Sequence, residues 1–512
     1  MPAMFVTNFA ALDWVIVGAY LMVSVVIGIV VNKYIHNVGD YMVGGRASGT
    51  SLNVATYIGT GLGLVTLMYA SIDAFQHGFA YMTLALIGAA TGIFLGSTGF
   101  VICRLRRLEL TTLPEYFERR FDKRTRVTAG TICAIAGILN MGLFPKMGAT
   151  FITYATGIGG ANAETTVNLI TTALIVLVLI YTVLGGMVSV IVTDYIQFVV
   201  LSVGLAIGVY FCLTHPNLGW QNMTAALVEH RGERAFNPIA NPAYGWIWIA
   251  FNLLLFFFAF LCWAPEASRT LTSKDERTTR RTFLFAGPGQ FIRLAIPAFF
   301  AIAAFCWFTQ DAELSAHFFP DGPSGDIQNA AQAMPLILGK VVPTGVLGML
   351  VAGLMAAFMS THDSYLLAWA SVITRDVITP MRGAPTSDRH QIAITRVLVV
   401  LIGVFLLVWG IWYPLPDSVW SYMAVTGTIY ISGAGVALIG GMYWKRASRA
   451  GAMASLLGGL VSVAALAESW LQANIAPWLT GITLGFFNYL FCAILFVVFS
   501  LLLPDPPKEA GA

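Results

Sequence analysis

Ala357, Ser360, Thr361 and Ser364 stand at i, i+3, i+4 and i+7 in an apolar stretch, so they share one face of a helix. Hydroxyl and carbonyl oxygens are hard ligands that suit a small dehydrated cation, and alanine lets a neighbouring carbonyl come close. The same small residues also serve close packing between membrane helices, and the stripe alone fits either use. A second set of oxygens is offered by Ile58-Gly-Thr-Gly-Leu-Gly63. Glycine in a helix interior costs about 1 kcal/mol relative to alanine. Gly59, Gly61 and Gly63 together would let the helix unwind and bare its carbonyls, or would pack it tightly on a neighbour. Cys262-Trp-Ala-Pro-Glu266 is a candidate second break, because proline removes a helical hydrogen bond and a carboxylate sits beside it. Breaks at corresponding positions of two halves point to an ion and solute site at the bilayer midplane.

Charge inside an apolar span is expensive and marks function. Lys146, Asp194, Glu266, Arg293 and Asp363 fall within spans, and Asp73 and Glu468 near span ends. At roughly 100° per residue, Asp363 stands about 110° from the centre of the hydroxyl stripe and faces a flanking helix. Lys146 can pair with Glu266 or Asp363, bind a substrate carboxylate, or replace a coupling cation. Pairing is preferred, since an isolated buried ammonium costs several kcal/mol. His362, on the opposite flank from the stripe, reads as a hydrogen-bonded core residue rather than a proton relay. Phe256, Phe257, Phe258, Phe260 and Trp263, with Trp420 and Tyr422, could cage a cation or simply face lipid. The candidate substrate contacts are Thr60, Gly63, Asn140, Lys146, Phe256, Phe260, Trp263, Glu266, Trp420 and Tyr422.

The elements that hold these residues are dictated by composition. The chain is 57% apolar and 10% charged over 512 residues, with a mean hydropathy of +0.77. That makes it an all-α polytopic membrane protein. Apolar stretches predict thirteen transmembrane helices at 11–31, 51–77, 79–103, 127–157, 166–184, 187–213, 245–267, 283–308, 345–374, 392–413, 419–444, 450–471 and 478–503. An odd number puts the termini on opposite sides. Of the 28 basic residues, only Arg231, Arg234 and Lys340 fall on one side and only Lys146 and Arg293 within spans; the rest share the other side. The positive-inside rule then predicts an extracellular or periplasmic N-terminus and a cytoplasmic C-terminus in the cell membrane. The start of the chain lacks the charge pattern of a removable signal peptide. Six cysteines in or beside apolar segments, without ligand spacing, read as small buried hydrophobes.

Three motifs carry a family resemblance. Thr112-Leu-Pro-Glu-Tyr-Phe-Glu-Arg-Arg-Phe121 resembles a cytoplasmic loop of the sodium:solute symporter family, relatives of the proline, pantothenate, sialic acid, glucose and choline transporters. Tyr181-Thr-Val-Leu-Gly-Gly186 with Thr193-Asp-Tyr-Ile-Gln197 is similar to its signature between the fourth and fifth core helices. Asp40-Tyr-Met-Val-Gly-Gly-Arg46 is similar to the segment entering its first core helix, and the match runs in order over about 40–445. The resemblance implies a leucine-transporter-like fold of inverted five-helix repeats with accessory helices. It implies an N-terminus and accessory helix over 1–50, repeats over 51–213 and 245–444, two accessory helices over 450–503 and a tail over 504–512. It also implies a sodium site from the carbonyls of Gly59, Leu62 and Ala357 with the hydroxyls of Ser360 and Thr361. A second sodium would use Asp194 and Ser364. Arg293 resembles a basic residue with a structural role in the family. Where the proline-transporter branch has an aspartate, this chain has Gly61, which argues against proline as solute.

The expected function is a sodium-coupled secondary symporter that imports a small organic solute by alternating access. The alternatives are a proton-coupled or cation-independent transporter of the same fold, and a membrane solute sensor, against which the short tail argues. With no nucleotide-binding loop, His/Cys metal cluster or nucleophile–base pair, no enzyme activity is expected. Na+ is the expected coupling ion, with no organic cofactor. The expected partners are a small-molecule substrate and membrane lipid, not nucleic acid, with function as a monomer.

Overall fold

The computed structural model describes residues 5–31, 49–158, 162–382, 387–416 and 418–506, apart from the side chains of residues 24, 25, 27–31, 60, 181 and 184–198. The motif at 40–46 and most side chains of the 181–197 signature therefore lie outside the described residues.

The described residues form helices joined by short turns. The first helices are α1 (Ala11–Val31), α2 (Thr50–Gly61), α3 (Leu64–His77) and α4 (Met82–Thr98). They are followed by α5 (Lys123–Asn140), α6 (Phe144–Thr156) and α7 (Ala163–Thr214). Next come α8 (Gly245–Cys262), α9 (Ala264–Thr272), α10 (Glu276–Phe308) and α11 (Val346–Val372). The last four are α12 (Asp388–Trp412), α13 (Val419–Tyr443), α14 (Arg449–Gly458) and α15 (Gly481–Leu502). Shorter helices fill the connections.

Ten of the described helical stretches are long and apolar enough to cross a membrane, or eleven if the bent pair Val199–Thr214 and Gly219–Ala235 counts as one span. The sequence predicts thirteen. One difference is α7, a single 52-residue helix where two spans were expected to meet at Gly185-Gly186. Two glycines cost only about 1 kcal/mol each, and a helix keeps every backbone group paired without water. The predicted span 127–157 is divided the other way, into α5 and α6, by a short 3-10 turn over Met141–Leu143.

Side-chain register shows which way the helices run. Along α10, Leu284 faces Gly96, Gly287 faces Gly92, Gly289 faces Ile58, Arg293 faces Gly61, and Phe305 packs on Phe75. Thus α2 and α3 run parallel to α10 and α4 runs antiparallel, the chain reversing at Gly78, whose φ is +66°. A β-carbon at Gly96 would stand 2.3 Å from the Leu284 amide nitrogen, so glycine there lets α4 lie directly on α10.

Burial separates the centre from the rim. The most apolar window of the span that contains α11 is 89% buried, against 28% for that of α12. On α12, Val399, Ile402 and Leu406 face inward, while Val397, Val400, Leu401, Val404 and Val408 are exposed. A helix that is apolar on both faces belongs in lipid. The hydroxyl stripe thus lies on the central helix.

Candidate functional site

The first break is narrower than the glycines alone imply. α2 stays helical through Gly61, and Leu62 leaves the helix at φ −85°, ψ 47°, its N–H still bonded to the Ile58 carbonyl at 2.7 Å. Gly63 is extended at φ −75°, ψ 158° and caps α3. The Thr66 hydroxyl donates to the Gly61 carbonyl at 2.8 Å. The Gly59 and Thr60 carbonyls come next at the break, where the helical run of N–H donors stops. Gly61 and Gly63 are needed for space, not for unusual dihedrals. A β-carbon at 61 would fall 2.1 Å from Arg293 Nη1, and one at 63 would fall 2.0 Å from Thr361 Oγ1.

That second contact sets the end of the break against the stripe. Ala357, Ser360, Thr361 and Ser364 are all buried on α11, and the Thr361 hydroxyl donates to the Ala357 carbonyl at 3.0 Å. Gly59 and Leu62 are buried as well. Asp363 is buried, and its Oδ1 accepts the Ser364 N–H at 2.7 Å. The Thr60 and Asp194 side chains lie outside the described residues.

The second break separates α8 from α9 at Trp263 (φ −69°, ψ 122°), with Pro265 in the first turn of α9. Between the two breaks lies a cavity of about 100 Å³. Of the predicted substrate contacts, Asn140, Phe256, Phe260, Trp263, Glu266 and Trp420 line it, and Thr361 reaches it from the stripe. Gly63, Lys146 and Tyr422 do not. The Tyr422 hydroxyl instead donates to the Leu139 carbonyl at 2.7 Å. Phe256 stacks on Trp420 at 6.0 Å, Tyr69 packs on Trp420 at 5.1 Å, and the Trp263 indole N–H donates to the Tyr365 hydroxyl at 3.3 Å.

Sequence reasoning missed Tyr69, Tyr365 and Arg293 as lining residues. Tyr69 follows Val65 by one helical turn on α3, and Tyr365 follows Thr361 by one turn on α11, so periodicity pointed at both once the break was placed. Arg293 is buried in α10, with Nη1 3.9 Å from Glu266 Oε1. This corrects the pairing expected for Lys146, whose ammonium donates to the Tyr413 carbonyl at 2.9 Å and which lines a separate cavity with Glu164. The His362 Nδ1 bonds the Phe358 carbonyl at 2.8 Å, and its ring lies 3.9 Å from that of Phe358, as expected for a core residue.

Trp420 also lines a larger cavity of about 540 Å³ with Asp73, His77 and Trp248, on the side poor in basic residues. On the basic side the half-helices are tied together. Asn53 of α2 donates to the Arg269 carbonyl at 3.0 Å, Ser273 Oγ at 2.7 Å and Thr282 Oγ1 at 3.2 Å. The 112–121 motif braces the same side. Thr112 Oγ1 donates to Asp376 Oδ1 at 2.7 Å, and the Arg126 Nε meets that oxygen at 2.8 Å.

Residues 41–459 match the sodium:solute symporter family. The chain is 28% identical over 414 residues to the sodium/sialic acid symporter NanT of Aliivibrio fischeri, covering 77% of this chain and 75% of that one. It is 24% identical to the sodium/sialic acid symporter SiaT of Proteus mirabilis over 90% of each chain. It is 25% identical to the human high affinity choline transporter 1, over 78% of this chain and 70% of that one. Among solved structures, a substrate-bound outward-open state of a Na+-coupled sialic acid symporter matches with a TM-score of 0.79 at 20% identity, covering 97% of this chain and 100% of that one. MhsT in complex with L-phenylalanine matches with a TM-score of 0.51 at 16% identity, over 89% and 98%. These structural likenesses carry the fold, which is the leucine-transporter-like one expected.

Proposed function

The chain belongs to the sodium:solute symporter family, and from that premise we propose that it carries a small organic solute inward, driven by sodium bound where the first break meets the central helix. The observation that carries this reading is the contact of Gly63 with Thr361. It sets the end of the α2–α3 break against a buried face of α11 that offers the adjacent hydroxyls of Ser360 and Thr361. The sodium ligands are the Gly59, Leu62 and Ala357 carbonyls with the Ser360 and Thr361 hydroxyls; Asp194 and Ser364 are candidates for a second ion. The solute occupies the cavity between the breaks.

Sodium bridging the end of α2 and α11 stabilises the arrangement in which the basic-side halves α2 and α9 stay together. Its loss to the cytoplasm frees α2 to part from α9. Binding is reciprocal: each ligand tightens the other by the same factor. The distribution of basic residues supports an extracellular N-terminus and cytoplasmic C-terminus, so that the outer cavity at Trp420 opens to the exterior. The two breaks support repeats over 51–213 and 245–444. The test is uptake into proteoliposomes with an inward sodium gradient at fixed pH. Replacing sodium by potassium or choline abolishes uptake if sodium drives it; unchanged uptake overturns the reading.

A further inference from the structure

We propose that the cavity between the breaks selects a zwitterionic solute, with Glu266 receiving its cationic group and Arg293 its anionic one. This rests on the symport reading of the same cavity and names the class of its solute.

Glu266 and Arg293 both line the cavity, with side chains only 13% and 9% exposed. Their 3.9 Å separation is an ion pair but too long for a hydrogen bond. Among the described residues, Arg293 Nε and Nη1 are buried and have no hydrogen-bond partner. A buried pair repays its desolvation only when further hydrogen bonds satisfy the remaining donors and acceptors. Here Nε and Nη1 of Arg293 leave donor capacity to a ligand. The guanidinium reaches the cavity because residue 61 has no β-carbon.

The position of Glu266 assigns the polarity. It is the third residue of α9, and a helix N-terminus favours negative charge. Transporters of this architecture aim half-helix N-termini at anionic groups of their substrates. In this chain that place is filled by the chain's own carboxylate, so a cation is what fits beside it. Phe256, Phe260 and Trp263 add aromatic faces that also favour a cation. The anionic end of the solute is left to Arg293, which offers two hydrogen-bond donors in a plane. The charges of the pair cancel. A zwitterion adds no net charge to the pair, whereas a lone cation adds to the charge of the sodium at Thr361 and a lone anion leaves the Glu266 carboxylate without its cation.

The experiment begins with the purified wild-type chain in sodium, comparing thermal shifts across a panel at equal concentration. The panel holds the common amino acids and glycine betaine, their des-amino carboxylates and decarboxylated amines, choline, and glucose. Radiolabelled uptake in proteoliposomes then follows the responders. The expected result is a zwitterion whose half-saturation is at least tenfold lower than that of either single-charge analogue. Glu266→Gln weakens the zwitterion at least tenfold and improves its des-amino analogue. Arg293→Lys, which keeps the charge but not the planar pair of donors, weakens the zwitterion less than Arg293→Gln. A wild-type response to glucose, a carboxylate or an amine with none to any zwitterion overturns the proposal, as does unchanged zwitterion affinity in Glu266→Gln. The wild-type analogue comparison decides alone if the variants do not fold. Zwitterion uptake that survives sodium removal overturns the symport reading and leaves the solute class standing; sodium-dependent glucose uptake does the reverse.

Discussion

Gly63 lies so close to Thr361 that a β-carbon at position 63 would stand 2.0 Å from the threonine hydroxyl oxygen and 3.0 Å from its Cβ. Thr361 Cβ is anchored on the central helix, so neither side can simply swing away. Gly63→Ala is therefore expected to push α3 from α11 and spoil the oxygen cluster. Overpacking of this kind costs about 1–3 kcal/mol. The measurement is sodium-dependent uptake beside melting temperature, with Gly18→Ala as the control because nothing lies within 4 Å of its added carbon. Near-normal sodium dependence in Gly63→Ala would show that the contact is not part of the ion site.

Gly61→Ala is expected to behave differently. Its added carbon meets Arg293 Nη1, the far end of a flexible side chain, at 2.1 Å. The guanidinium can yield where Thr361 cannot, so the fold and the sodium response are retained while solute affinity falls. Isothermal titration with sodium and then with a transported solute separates the two. A loss of both together would contradict the division of labour between the glycines.

Removal of a single hydroxyl tests the stripe. Ser360→Ala is expected to raise the half-saturation for sodium at least tenfold, equivalent to about 1.4 kcal/mol. By linkage, solute affinity measured at low fixed sodium falls, and the difference closes when sodium is raised to saturation. Affinity for solute that is equally weak at all sodium concentrations would place Ser360 in the solute site.

Features set by local sequence were legible before the fold was known. The stripe follows from helical period, both breaks from glycine and proline, and most of the aromatic lining from their neighbourhood. Partners distant in sequence were not. Lys146 meets a carbonyl 267 residues away, and that choice depends on the approach of the end of α12, which no pattern around Lys146 encodes. Arg293 resembles a basic residue of structural role, and its approach to Glu266 depends on the packing of α10 against Gly61, Gly92 and Gly96 of the first helices, which no pattern around Arg293 encodes. The expected turn at Gly185-Gly186 shows the opposite limit: glycine permits a break, and the backbone's need for internal hydrogen bonds in an apolar setting resists it.

The loop helix Pro114–Arg120 offers a pH test outside the spans. Burial pushes the Glu115 carboxyl upward, but the Thr111 N–H and the Arg119 guanidinium outweigh it and hold the group below its usual value. A depressed folded-state pKa contributes stability above the unfolded value near ~4.3, and that stability is lost as pH falls through the folded value. Hydrogen exchange of a peptide covering 109–121, corrected for intrinsic rates, should therefore rise on acidification from pH 6 toward the acid limit of the detergent. Glu115→Gln should exchange fast throughout. A wild-type loop whose protection ignores acid would remove Glu115 from its stabilisation.

Asn53 bears on the alternation itself. Its amide meets the Arg269 carbonyl, Ser273 and Thr282 on the basic side, while the Thr272 hydroxyl donates to its Oδ1 at 3.4 Å. One side chain thereby ties the half-helix before the first break to the half-helix after the second. Asn53→Ala takes one donor each from the Arg269 carbonyl and the Ser273 and Thr282 hydroxyls, which keep their other partners, a cost of about 1 kcal/mol. These groups can recover hydrogen bonds to water only where α2 swings away, so the variant favours the parted arrangement. Ala55 is only 7% exposed on the same half-helix, and Ala55→Cys in a cysteine-free background reports its access to solvent. Labelling by a membrane-impermeant maleimide from the basic side should accelerate about fivefold or more when Asn53→Ala is added. Sodium should slow it again, because sodium holds the end of α2 against α11. If Asn53→Ala lowers thermal stability without changing the labelling rate, the cluster braces both conformations equally and the closure of the basic side depends on other contacts.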